Sequence, residues 1–280
     1  MSKLVVSGIY VYPIKSLGGI TLTESLVEEK GLQYDRRWVL TDDTGSFVTQ
    51  RKYPLLALLQ VSISDDVVTV FHKENPKQKI SFGISQQIGE HIPVTIWDDL
   101  TKGIEVDAEV SKWFSNYMNM EVKLLRMPEQ ERRNVDPRYA SNDEIVGFAD
   151  GYPCLIIGQS SLDELNTKLE KPILMDRFRP NIVFTGGEPH AEDSIKDFEI
   201  DGISFSAVKP CARCVLVTVD QQNGTKSPEP LKTLAKYRTL NNKIMFGQNL
   251  IHKGSGTIKI GSEIKIKSAK EKILADLSRH

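Results

Sequence analysis

The sequence predicts a mainly β fold, an antiparallel barrel or sandwich with a few helices. Many short runs rich in β-branched and aromatic residues are bounded by Gly, Pro, Asp or Asn. They follow one another closely, as hairpin-connected strands do. Helical periodicity, in contrast, is confined to a few segments. A chain of 280 residues is long enough for one large domain or two interlocked ones.

The elements follow in order. Residues 4–11 alternate in the manner of a strand, and further strands are expected at 38–41, 47–49, 57–63, 67–71, 92–96 and 105–107. A helix is expected over 108–118, because Val110, Trp113, Phe114 and Tyr117 recur at three-to-four spacing and form its core face. Residues 128–142 are charged, aperiodic and contain two prolines, which predicts a mobile connection carrying Arg132, Arg133 and Arg138. A strand at 155–157 then leads into a helix at 161–170, with Ser161 and Glu164 as its capping box. Strands are expected again at 182–184, 198–200, 203–208, 215–220, 257–260 and 263–266, and a short helix near 229–237 is opened by Pro228 and Pro230. Residues 270–280 read as a surface helical tail. No internal repeat or low-complexity tract is present.

Composition narrows the function classes. Hydrophobic residues make up 40% and charged residues 26%, which excludes a collagen-like or wholly disordered chain. Lys plus Arg (36) nearly balances Asp plus Glu (37), so no global field draws the chain to nucleic acid or to a membrane surface. Any anion site must be local. Three cysteines cannot form a disulfide framework and point to a reducing compartment. The longest apolar stretches fall far short of the roughly 20 residues that span a bilayer. The N-terminus lacks a signal-peptide pattern, so the sequence reads as mature and cytoplasmic.

The sharpest local feature is Lys209-Pro-Cys211-Ala-Arg213-Cys214. A structural zinc site would need a second ligand pair, but only Cys154 and five scattered histidines remain. A thioredoxin-type pair opens a helix, whereas a strand is expected here. These points weigh against both readings without removing either, and the third meaning is a single soft thiolate for another metal. Arginine and lysine also recur beside small or rigid residues, at Lys15, Arg36, Arg37, Arg51, Arg177 and Arg179. Guanidinium forks suit phosphate capture, so a thiolate together with such clamps points to a metal shared between the protein and a phosphorylated organic ligand.

Several motifs occur in order along almost the whole chain. The early ones are Tyr12-Pro-Ile-Lys15-Ser16, the Gly31–Leu40 run containing Asp35-Arg36-Arg37-Trp38, and Thr49-Gln-Arg51. The later ones are Phe148-Ala-Asp150-Gly-Tyr152-Pro, Phe178-Arg179-Pro-Asn181, Cys211-Ala-Arg213-Cys214, Thr218-Val-Asp220, Tyr237-Arg238 and Phe246-Gly-Gln-Asn249. Together they resemble the MOSC-domain proteins: the mitochondrial amidoxime reducing component, bacterial reductases of N-hydroxylated bases, and the C-terminal domain of molybdenum cofactor sulfurase. The resemblance implies two intertwined β-rich modules, a MOSC N-terminal β-barrel over 1–120 and a MOSC domain over 121–268, followed by a tail at 269–280. It implies the molybdenum cofactor, with Cys214 as protein ligand to the metal. Pterin and phosphate contacts carry over to Lys15, Ser16, Arg36, Arg179, Asn181 and Arg213. Tyr152 and Asn249 fall at contact positions that vary among relatives. Cys211 is not the ligand and reads as a packed thiol, and Cys154 reads as core.

The implied chemistry is removal of oxygen from an N-hydroxylated substrate, with electrons and protons supplied from outside. Asp150 or solvent serves as the proton source. Some relatives carry a ferredoxin domain or a targeting and anchoring segment. Here three cysteines cannot supply a four-thiolate cluster, and no G-x-G-x-x-G segment follows a strand. Electrons are therefore expected from a separate ferredoxin- or cytochrome-type protein with its reductase. The segment bearing Arg132, Arg133 and Arg138 is its expected basic contact. The competing expectation is a carrier that passes the cofactor, or sulfur on Cys214, to another enzyme.

Overall fold

The structure is a computed structural model that describes residues 3–271. The first half of the chain contributes β1 (Val5–Val11), β2 (Ile20–Leu22), β3 (Glu24–Glu28), β4 (Gly31–Leu32), β5 (Trp38–Thr41), β6 (Leu59–Ser64), β7 (Val67–His72), β8 (Lys79–Gly83), β9 (Ile88–Ile96), β10 (Asp99–Glu105), α1 (Ala108–Met118) and β11 (Lys123–Arg126). The second half contributes β12 (Cys154–Gly158), α2 (Gln159–Thr167), β13 (Ile182–Thr185), β14 (Ile195–Ile200), β15 (Ile203–Arg213), α3 (Leu231–Leu234), β16 (Thr239–Leu240), β17 (Lys243–Lys253), β18 (Gly256–Lys259) and β19 (Lys265–Ala269). The fold is mainly β with three α-helices among the described residues, as the sequence predicts.

The halves are intertwined through their strands. The largest sheet runs β19-β14-β15-β17-β12-β13-β1-β2, so the N-terminal strand pairs antiparallel with β13 at Ile9↔Ile182. In return, the late strand β18 pairs with the early strand β3 at Thr257↔Leu26. One core joins Val6, Ile9 and Val11 of β1 to Ile182, Phe198, Phe205 and Leu250. A second surrounds Trp38, Phe114 and Leu124 beneath α1. Gly31 holds the halves close: its φ of +103° suits glycine, and a Cβ there would come within 2.5 Å of the Pro153 carbonyl oxygen.

Helix α1 forms because Asp107 caps it, accepting from Glu109 N at 2.8 Å, and because one face is apolar. That face is Val110, Phe114 and Met118, whereas Trp113 and Tyr117 lie half-buried on its flank and stack on each other. Other expectations need correction. The run at 47–49 makes only an isolated bridge, Thr41↔Phe47. Pro54 opens a 3₁₀ turn over Pro54–Leu58, which delays the expected 57–63 strand to Leu59. Residue Ser161 is not a cap; α2 starts two residues earlier, and the Ser161 hydroxyl donates to Glu192 and accepts from His190 N.

Two further corrections concern function. The expected strand at 215–220 is a 3₁₀ turn, Val215–Thr218, and the strand lies instead before Cys214, with β15 running through Pro210 and Cys211 to Arg213. The expected mobile connection at 128–142 is anchored, with Val135 N bonding Glu144 O at 2.8 Å, Val146 N bonding Arg133 O at 2.9 Å, and both Val135 and Arg133 buried. Lack of periodicity marked irregular backbone there, and hydrogen bonds to fixed neighbours hold it. Most of the expected tail, residues 272–280, lies outside the described residues.

Candidate functional site: a cationic cleft between the halves

Backbone pairing of distant segments builds one cleft. After β1 the chain turns, and Lys15 N bonds Trp38 O at 2.8 Å while Arg36 N bonds Tyr12 O at 3.0 Å, setting the two cations side by side. Phe148 N bonds Arg36 O at 2.8 Å and brings up the loop bearing Asp150. The Arg36 side chain reaches Arg179 O at 3.2 Å and Asn181 Oδ1 at 3.2 Å, and Arg213 Nη2 reaches Phe178 O at 2.5 Å. The resulting cavity is about 300 Å³ and is lined by Lys15, Ser16, Arg36, Asp150, Tyr152, Arg179, Asn181, Cys211, Arg213, Cys214 and Asn249. The structure thus brings together every site residue that the family resemblance implies, whereas two of the other candidate clamps lie outside the cleft, Arg37 paired with Glu28 at 2.9 Å and Arg177 with Asp220 at 2.6 Å.

The cleft's charge departs from the chain's overall balance. Its lining holds six cations (Lys15, Arg36, Arg51, Arg179, Lys209, Arg213) against one carboxylate, Asp150. Burial lowers the pKa of Arg179 to about 10, and the neighbouring Arg36 charge adds to the effect. Both guanidiniums lie over the Tyr12 ring, 4.3 Å and 4.2 Å from its centre. Asp35 partly offsets the charge, accepting from Arg36 Nη1 at 2.5 Å. Ser16, Arg36 and Arg179 all have positive φ (72°, 49° and 54°), a backbone region that non-glycine residues occupy at a cost and that clusters at functional sites.

Three buried donors in the lining have no hydrogen-bond partner among the described residues: Arg179 Nη2, Arg213 Nε and the Tyr152 hydroxyl. Left so, each costs roughly 1–3 kcal/mol. Asn181 differs from its neighbours, since its amide is spent on the protein, accepting from Leu155 N and donating to Tyr10 O. It therefore holds β12 and Arg36 in position. Cys214 is exposed at the end of β15, Cys211 is half-buried with Arg213 Nη1 3.0 Å from its sulfur, and Cys154 is buried.

Lys15 and Asp150 are an ion pair at 2.5 Å, the amine buried and the carboxylate side chain 65% exposed. Burial lowers the Lys15 pKa to about 8 against the opposing pull of Asp150. The surrounding pocket wall raises the Asp150 pKa, but the Lys15 charge, its hydrogen bond and Arg51 outweigh this and leave the group below the ordinary range. Asp150 is thus a carboxylate at neutral pH, a hydrogen-bond acceptor, which corrects the expectation that it donates a proton.

The expected basic docking segment is corrected at Arg133, whereas Arg132 and Arg138 are exposed. Arg133 is buried, bonded to Asp99 at 2.6 Å and to the carbonyls of Gly147, Ala149 and Asp150, so it is a strut for the Asp150 loop. Arg132 pairs with Glu29 and Arg138 with Asp136. Sequence reasoning placed Arg51 among the candidate phosphate clamps but assigned no role to Tyr12 or Lys209, although each stands inside a motif it singled out.

Residues 3–121 match the MOSC N-terminal beta barrel domain and residues 143–265 match the MOSC domain. Mitochondrial amidoxime reducing component 2 of Homo sapiens is 31% identical over 243 residues, covering 83% of this chain and 72% of that protein. Mitochondrial amidoxime-reducing component 1 of Mus musculus is 29% identical over 288 residues, covering 92% of this chain and 81% of that protein. Molybdenum cofactor sulfurase of Arabidopsis thaliana is 30% identical over 263 residues, or 85% of this chain and 32% of that protein. On this evidence the chain belongs to the MOSC family, with a MOSC N-terminal β-barrel domain preceding its MOSC domain.

Proposed function

We propose that the protein is a molybdenum-cofactor-dependent reductase of N-hydroxylated compounds (hydroxylamines, amidoximes, N-hydroxylated bases) that takes electrons from a separate redox protein. The observation that carries this reading is the conjunction of an exposed Cys214 with a cleft of six cations and three buried, unpartnered donors. A phosphate- and oxygen-bearing ligand would satisfy those donors, and a thiol at the rim suits a soft metal. The residues present therefore fit the molybdenum cofactor.

When bound, that cofactor supplies the two-electron exchange by which R–NH–OH, two electrons and two protons become R–NH2 and water. Cys214 would hold the metal. Lys15, Arg36, Arg179 and Arg213 would bind phosphate and pterin oxygens, with Ser16, Tyr152 and Asn249 completing the wall and Asn181 orienting Arg36. Lys15 Nζ carries a proton that it yields near pH 8, and Asp150 keeps that amine oriented through their ion pair. The proton donor at the cleft is thus assigned to Lys15 or to water, with Asp150 as its acceptor partner.

The test is metal and pterin analysis of protein made in a host that synthesises the cofactor, followed by reduction of an amidoxime with an artificial one-electron donor. Stoichiometric molybdenum with turnover is expected. Protein that acquires no cofactor overturns the reading. The exposure of Cys214 favours one alternative, a carrier of cofactor or sulfur, for which cofactor would be bound without turnover.

A further inference from the structure

The six cations of the cleft differ in what already holds them. Lys15 is paired with Asp150, Arg36 with Asp35, and Arg213 with the Phe178 carbonyl and Cys211. Arg179 is one of the carried-over anion contacts. That leaves Arg51 and Lys209, for which the family resemblance gives no role. Lys209 lies over the Tyr139 ring at 4.5 Å. Arg51 bonds only through Nε, to Thr49 Oγ1 at 3.2 Å, and its two amino groups make no hydrogen bond among the described residues. The planar face of Arg51 is nevertheless fixed, 3.9 Å from the centre of the Trp97 ring and 5.5 Å from that of Phe47.

Trp97 occupies a costly position. It is the first of two residues, Trp97-Asp98, that join β9 to β10, with Ile96 paired to Asp99 across the turn. Its φ is +57°, a position in two-residue hairpins normally given to glycine and an outlier for a bulky side chain. The ring remains 48% exposed, so burial does not repay the strain; it lies against Arg51 and, edge-on at 5.5 Å, Phe47, and its N–H donates to the Asp150 carboxylate at the cleft. A strained residue that bonds the Asp150 carboxylate and also carries a cation whose charge acts on Asp150 while its amino groups stay without a hydrogen bond indicates a functional constraint in a ligand cleft.

We propose that Arg51, carried on Trp97, is an additional anion-binding arm of the cleft, taking a phosphate or carboxylate group of the cofactor or of the substrate. Arg51 is the binding residue and Trp97 its positioning residue. The inference rests on the reading of the cleft as an anion site and extends it to a residue pair that the resemblance leaves without a role.

The test titrates cofactor-free protein with inorganic phosphate. Arg51→Gln is expected to weaken binding about fivefold, Arg51→Lys less, and Trp97→Gly as much as Arg51→Gln with no fall in thermal midpoint, since glycine accepts the turn. Trp97→Tyr should restore the affinity, and the Trp97→Gly/Arg51→Gln double variant should lose no more than either single one. Unchanged phosphate affinity in Arg51→Gln, or in a folded Trp97→Gly, overturns the arm. Unchanged affinity in Arg179→Gln instead overturns the reading of the cleft, so the two failures are separable. In cofactor-loaded protein, lower cofactor retention by Arg51→Gln assigns the arm to the cofactor's phosphate. Normal retention with a raised KM for a carboxylate-bearing amidoxime, and not for a neutral one, assigns it to the substrate. Neither effect there, despite weaker phosphate binding, overturns a role for the arm toward a ligand of the cleft.

Discussion

Two cysteines three residues apart stand in different surroundings, one facing solvent at the cleft rim and the other half-buried beside Arg213. Replacing Cys214 by Ala should remove molybdenum and turnover together, while Cys211→Ala should keep most of both; metal analysis beside turnover decides, and a dead Cys211 variant would reverse the assignment. Lys15 gives a second expectation. Its pKa falls from 10.5 to about 8 in the fold, so the empty cleft loses one positive charge as pH rises through 8. Phosphate affinity should fall across that range and lose the inflection in Lys15→Arg, which stays charged; an unchanged inflection would assign it elsewhere. For stability the sign is opposite. Between about pH 8 and 10.5 the unfolded chain holds a proton that the folded one releases, so this group makes the fold more stable as pH rises there. At this scale Lys15, Arg36, Arg179 and Cys214 were legible because motifs carry residue identity. The burial of Arg133 and the ionised state of Asp150 were not, because both depend on partners from remote segments.

Local elements were legible where one rule dominated. Helix α1 was read from its periodicity with the bounds it has, and Asp107 supplies its N-terminal cap. Asp107→Ala should cost about 1 kcal/mol, measured as a lower urea midpoint at unchanged slope; a shift below a few tenths of that would show the first turn to be held by packing alone. The run Val215-Leu-Val-Thr-Val219 was misread because its strand propensity is overridden by contacts that sequence does not display. Val217 N bonds Cys214 O at 3.2 Å and Val219 N bonds Leu216 O at 3.0 Å, turning the chain just after the cysteine. β15 meanwhile keeps pairing with β17 through Pro210 by shifting register twice, between Ala207 and Lys209 and between Pro210 and Ala212. Strand, irregular register and turn together present Cys214 at the cleft rim.

At the scale of the molecule, the exchange of strands between the halves decides how the protein unfolds. Val6, Ile9, Val11, Val27 and Leu32 from the first half are buried in the core of the second. At roughly 1.5–3 kcal/mol for each buried side chain they contribute on the order of 10 kcal/mol, comparable to the whole net stability of about 5–15 kcal/mol of an ordinary domain. Neither half can therefore lose the other and remain folded, even though two family matches divide the chain near residues 121 and 143. The cleft has the same origin, since Lys15 and Arg36 reach Arg179 and Cys214 only because β1 lies in the sheet of the later half. Urea unfolding should be a single transition. The three tryptophans, Trp38, Trp97 and Trp113, report the first half by fluorescence, and amide exchange in β15 and β17 reports the second. The two should give one unfolding free energy, and residues 121–280 expressed alone should lack the sharp amide dispersion of a folded protein until mixed with residues 1–120. Separate transitions, or a folded later half in isolation, would show that the buried strand β1 is dispensable and that the arginines of the cleft are brought together by docking of two independent domains.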